Sequence, residues 1–206
     1  MQQQPPYPPQ PPYPQQHGYP PQHGHPPKKK GLGCGAIVAI CAAVSIPVLG
    51  MLAAIAVPAF TKYMRRAKTA EARVQLAKLF DSMANYHTEH GRCPGALAGD
   101  TDVTPPTSLN CNVGQGGRCN PGDAYPSSDW ADNEVWSALG FEMSSPHYFH
   151  YNVRWSQDSD GACQFTAQAF GDLDDDGVFS TFERFGAADI NGVNGAAGLY
   201  IDQEVE

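Results

Sequence analysis

The sequence predicts an α+β protein. One long N-terminal helix, with a membrane half and an amphipathic half, packs on a C-terminal antiparallel β-sheet. Three observations carry this. Residues 37–60 are 24 residues without a charge. From Ala67 to His90 apolar residues recur at helical spacing. From Tyr148 onward the period becomes two, broken by Asp, Gly and Asn. A helix followed by a run of strands is the order of an α+β domain.

Residues 1–30 precede this fold. The first 27 are only Met, Gln, Pro, Tyr, His and Gly, and Lys28, Lys29 and Lys30 come next. Proline removes backbone donors and nothing in the segment can fill a core, so a solvated, cytoplasmic, disordered tether is expected. Its tyrosines and prolines also suit an aromatic-groove docking domain that would recruit a partner, and His17, His23 and His25 a weak metal contact.

The segment 31–91 is read as one helix in two halves. At 1.5 Å per residue, Ile37–Phe60 reaches about 36 Å, enough for a hydrocarbon core of about 30 Å. It starts too far from the N-terminus for a secretory signal, so an uncleaved single-pass anchor fits. Pro47 and Pro58 are tolerable in a membrane helix. Beyond Ala67, the stripe Leu76, Leu79, Phe80, Met83 and His87 forms a core face, and Gly91 ends the helix.

Residues 92–206 are expected to be a loop-rich antiparallel β domain. One helix is placed at Ser128–Leu139 with Ser128 as its cap. Strands are placed at His147–Ser156, Ala162–Phe170, Val178–Phe185 and Leu199–Val205. Trp130, Trp136, Tyr148, Tyr151 and Trp155 are read as core aromatics.

Charge separates along the chain. Residues 1–70 hold seven bases and no acid, whereas residues 71–206 hold 21 acids against six bases. An acidic domain of this kind repels nucleic acid and attracts cations. The bases flank the apolar run, at the level of phospholipid head groups.

Asp172-Leu-Asp174-Asp-Asp176-Gly-Val178-Phe-Ser180-Thr-Phe-Glu183 matches the twelve-residue calcium loop, with oxygens at the first, third, fifth and ninth places, glycine sixth and glutamate twelfth. Asp172, Asp174, Asp176, the Val178 carbonyl, Ser180 and Glu183 are the expected Ca²⁺ ligands. The other reading is an acidic turn that solvates a hairpin. Asp189-Ile-Asn-Gly-Val-Asn is read as a turn.

Cys34 and Cys41 fall at or in the apolar run and are read as packing residues. Cys93, Cys111, Cys119 and Cys163 lie in the loop-rich domain, where two disulfides are expected. Three pairings exist; proximity favours Cys111–Cys119, which leaves Cys93–Cys163. A zinc site is the rival, without Cys-x-x-Cys spacing to support it. No nucleophile–base–stabiliser constellation stands out, and His87-Thr-Glu-His90 lacks the order of a zinc protease, so no enzyme is expected.

Gly50-Met-Leu-Ala-Ala-Ile-Ala-Val-Pro-Ala-Phe and the later Ala67-Lys-Thr-Ala-Glu-Ala resemble the N-terminal helix of type IV pilins and pseudopilins. The resemblance implies a pilin-like fold and a structural subunit of a type IV pilus or type II secretion pseudopilus. It implies a bacterial inner membrane, a periplasmic or filament-borne C-terminal domain, and other pilin subunits or the pilus and secretion machinery as partners. Aligned on Pro58 without gaps, the family's cleavage glycine falls at Ala36 and its glutamate at Cys41. The expected consequence is that the N-terminal tail is retained.

Overall fold

A computed structural model describes residues 33–112, 117–195 and 198–204. The tail read over residues 1–30, with its three histidines, lies outside them, as does the end of the strand expected at Leu199–Val205. The chain divides into two compact units, one ending at Leu49 and the other beginning at Gly50.

The division falls inside a single helix, α1 (Cys34–His90). Up to Leu49, the described residues of the first unit are exposed, among them Ile37, Val38, Ile40, Val44, Ile46, Val48 and Leu49. In the second unit, Met51, Leu52, Ile55, Val57 and Phe60 are exposed as well. Burial starts only at Thr69, then recurs at Ala72, Leu76, Leu79, Met83 and His87. This is the helical spacing of the expected core stripe; Phe80 sits half-buried at its margin. Gly91, at φ 67°, closes the helix by donating its N–H to the His87 carbonyl at 2.7 Å.

The second unit continues through β1 (Ala98–Asp100), the short helices α2 (Ser128–Ala131) and α3 (Glu134–Leu139), and strands β2 (His150–Gln157), β3 (Cys163–Gly171), β4 (Ser180–Asp189), β5 (Gly192–Gly195) and β6 (Tyr200–Asp202). All pairings are antiparallel in the order β1-β2-β3-β4-β5, with β6 also on β4. The α+β class is as the sequence predicts.

One face of the sheet receives the buried stripe of α1. Tyr151, Val153 and Trp155 on β2, Phe165, Ala167 and Ala169 on β3, and Phe182 and Ala188 on β4 share it by register and are buried. Phe80 packs against Phe165 with ring centroids 5.3 Å apart, and the Arg184 guanidinium lies 4.4 Å over the Phe80 ring. Each large apolar side chain removed from water here contributes roughly 1.5–3 kcal/mol. A second cluster joins Trp130, Trp136, Phe141 and Tyr151, each within 6.4 Å of another ring.

The elements differ from the expectation in several places, and β2 begins at His150, three residues after the expected start. The helix expected over Ser128–Leu139 is two helices. Asn133 is extended and its side chain accepts from the N–H groups of Val135 and Trp136, so it caps α3 and interrupts the run. Ser128, expected as the cap, is the first residue of α2, and Ser127 before it makes no side-chain cap. β4 begins at Ser180, because the Val178 N–H is taken by Asp176 Oδ1 and leaves the ladder. The segment after Asp189 turns and returns as β5, and β1 arises in the stretch read as loop.

Candidate metal centre

The β3–β4 connection gathers the acidic motif at one end of the sheet. Leu173 is buried at 3% exposure and anchors the loop, while Asp172 beside it is 7% exposed. Asp172 Oδ1 accepts from the N–H groups of Asp175 at 2.7 Å and Asp176 at 3.3 Å, and Oδ2 from that of Gly177 at 3.0 Å. Asp176 Oδ1 accepts from the Val178 N–H at 2.8 Å. Gly177 takes φ 88°, a left-handed conformation that glycine adopts at little cost. These bonds curl the backbone so that one carboxylate oxygen each of Asp172, Asp174 and Asp176 lies within 4.8 Å of the others.

Two neighbouring elements hold the loop. Arg65 of α1 pairs with Asp174 Oδ2 at 2.7 Å. Asn110 donates to Asp175 Oδ1, and Asn112 Nδ2 to the Leu173 carbonyl at 3.0 Å. Asp174 Oδ1 is buried, with no hydrogen-bond partner among the described residues.

Of the six expected ligands, three are brought together. The Ser180 hydroxyl is fully buried and donates to the Gly171 carbonyl at 2.7 Å. Val178 is 40% exposed at the loop edge. Glu183 lies outside the three-aspartate group, on β4, where it accepts from the Gln168 amide of β3. A strand advances about 3.4 Å per residue, so Glu183 is about 10 Å beyond Ser180 and on the opposite sheet face. In the helical version of this loop the twelfth residue folds back; an extended β4 carries it away. Local spacing had pointed to Glu183 but not to Arg65, Asn110 or Asn112, which come from distant parts of the sequence.

The aspartate set still has the chemistry of a hard-cation site. Ca²⁺ takes six to eight oxygens, and a carboxylate oxygen that accepts one N–H retains a second lone pair. Asp174 can offer Oδ1 while Oδ2 keeps Arg65.

Cys93 and Cys163 are paired, with Cα atoms 5.8 Å apart, as are Cys111 and Cys119, at 4.5 Å. Cys34 and Cys41 are unpaired and exposed.

Beneath the sheet lies a buried polar network. Glu71 of α1 accepts from the N–H groups of Tyr148 and Phe149 and from the Tyr151 hydroxyl, at 2.9, 3.3 and 3.1 Å. Burial raises the Glu71 carboxyl above its usual range, and these bonds oppose the shift. Burial also raises the Tyr151 hydroxyl well above its usual value. The His147 ring is bonded to the Phe149 carbonyl at 2.8 Å and to the Tyr125 hydroxyl at 2.7 Å, and Trp130 donates to the Tyr125 oxygen at 2.9 Å. Desolvation lowers His147 to about 4 and raises Tyr125 to about 12, so both stay neutral near pH 7. Of the His87-Thr-Glu-His90 pair, His87 Nε2 meets the Gly161 carbonyl at 3.0 Å, whereas His90 stacks on Tyr86.

Among the described residues one helix, α1, is long and apolar enough to cross a membrane. The chain matches no family model, no curated protein and no solved structure.

Proposed function

We propose that this protein is a pilin-like, membrane-anchored structural subunit of a type IV pilus or type II secretion pseudopilus. Its C-terminal domain lies outside the cytoplasm, stapled by two disulfides and by a calcium ion on the β3–β4 loop. The observation that carries this reading is the two-part burial of α1. Its apolar span is exposed, its next turns carry Lys62, Arg65, Arg66 and Lys68, and the turns from Thr69 on supply a core face to the sheet. Such a helix serves as anchor and domain scaffold together. Asp172, Asp174 and Asp176 would hold the ion, with the Val178 carbonyl as the next ligand the motif calls for. A bound cation would relieve the repulsion among the acids and lock the hairpin.

Ala36 and Cys41, at the positions where pilins carry their cleavage glycine and glutamate, favour a second reading. The chain would then be a permanently anchored binding or signalling module whose tail recruits a cytoplasmic partner. Reporter fusions after Lys30 and after Glu206, with the intact mass of the membrane-extracted protein, test both. Opposite-side reporters with a mature chain that starts near Leu32 or Ile37 support the filament subunit. Opposite-side reporters on a full-length chain support the retained-tail module. Two cytoplasmic reporters refute the anchor.

A further inference from the structure

We propose that the sheet face turned away from α1 binds a neutral saccharide chain in a groove across β2, β3, β4 and β5. This stands independently of the filament reading. The groove has a volume of about 670 Å³, in the range of ligand sites. Register aligns Arg154, Thr166 and Phe185 in one cross-strand row, and Ser156, Gln164, Ala187 and Asn194 in the next. Strands lie about 4.8 Å apart, so the second row spans about 14 Å, room for an elongated ligand.

Among the described residues, the side chains of Arg154, Ser156, Gln164, Thr166 and Asn194 make no hydrogen bond or ion pair within the protein. Phe185 stands among them 45% exposed, whereas Trp155 and Phe165 turn their rings to the helix side and are buried. Amide and hydroxyl groups donate and accept, and the arginine adds a fork of donors. That set matches the hydroxyls of a sugar, and an open ring offers a stacking surface to the apolar face of a pyranose.

Charge selects the occupant. Among the described residues no acid lines the stretch from Arg154 to Phe185, whereas Asp158 and Asp189 line its continuation beyond Ser156, Gln164, Ala187 and Asn194. A polyanion would be repelled by these acids and by the 21 acids against six bases of residues 71–206, and a polycation would meet Arg154 in the groove. An uncharged, hydroxyl-rich chain escapes both constraints.

The test passes the full chain, in detergent, over immobilised neutral glucan, mannan and galactan oligosaccharides, with uronate oligosaccharides alongside. The expected result is retention on at least one neutral glycan, lowered at least tenfold by Phe185→Ala and by Gln164→Ala. Phe185→Tyr should retain binding, and Val74→Ala, on the exposed side of α1, should match the parent protein. Melting curves establish that the variants are folded, and an unfolded Phe185→Ala leaves the decision to Gln164→Ala. Failure to retain any neutral glycan, stronger retention on uronates, or parent-like binding by a folded Gln164→Ala overturns the proposal.

Discussion

Acidification from pH 7.5 to 5 should destabilise the globular domain through His147. The ring is fully buried. Its contacts fit a neutral tautomer, with Nδ1–H donating to the Phe149 carbonyl and Nε2 accepting from the Tyr125 hydroxyl. A proton on Nε2 would abolish that acceptor and place a charge in the aromatic cluster. An unfolded histidine takes up its proton near 6.5, the folded one only near 4. Between these values the unfolded state binds more protons. The stabilisation is therefore complete above about 6.5 and is lost as pH falls toward 4. The full gap is worth about 3 kcal/mol, of which about 2 kcal/mol is gone by pH 5. His150, lowered by its own burial, adds to the trend. Glu71 opposes it: its carboxyl is raised in the fold, so its penalty shrinks as pH falls through the folded value. The assay is guanidinium unfolding of the full chain at both pH values, monitored by tryptophan fluorescence, for the parent and His147→Gln. Glutamine can keep a donor for Phe149 and an acceptor for Tyr125 but does not titrate. Comparing the two proteins cancels His150 and Glu71 to first order. His147→Gln should remove about 2 kcal/mol of the parent's loss between pH 7.5 and 5. Equal pH dependence in both would refute the reasoning.

Three further outcomes are expected. Calcium should raise the melting temperature relative to chelator, by an amount equivalent to about 2.7 kcal/mol at a hundred times Kd; Asp174→Ala should remove the gain, Asp158→Ala should not, and identical melts would mean an acidic turn. Thiol labelling of the denatured, unreduced chain should modify Cys34 and Cys41 alone; chain-entropy arguments make loss of Cys93–Cys163 cost about 4 kcal/mol and loss of Cys111–Cys119 about 2.5 kcal/mol, so denaturant midpoints should fall in that order. Gly186→Ala should cost about 1–3 kcal/mol, because the added methyl would run into the Phe165 ring on the neighbouring strand, whereas Gly198→Ala, with open space around its Cβ, should leave the midpoint nearly unchanged.

The long-range architecture was legible because its signals are periodic. Leu76, Leu79, Met83 and His87 announce one helix face, and alternation through Tyr151, Val153 and Trp155 announces a strand with one buried side. Short elements were not. β1 is three residues whose strand character comes only from pairing with β2, and β5, Gly-Val-Asn-Gly, has almost no strand propensity of its own. The site divided in the same way. Asp172, Asp174, Asp176 and Gly177 were readable because their geometry is local and made by bonds within five residues. The place of Glu183 depended on whether a helix or a strand leaves the loop, and that of Arg65 on a tertiary contact across 109 positions, which no local spacing encodes.

The bridge between Cys93 and Cys163 also defines a mechanical route through the domain. Cys93 lies two residues beyond the Gly91 cap of α1, and Cys163 is the first residue of β3. A pull between the helix and the C-terminus therefore crosses from 93 to 163 through sulfur. Residues 94–162, including β1, α2, α3 and β2, lie off that covalent route as a side loop. The load runs through β3, β4, β5 and β6, whose ladders must shear to yield. Under reducing conditions the same pull would enter the side loop and lengthen the chain by its full contour. In the oxidised protein that length stays hidden for as long as the bridge holds.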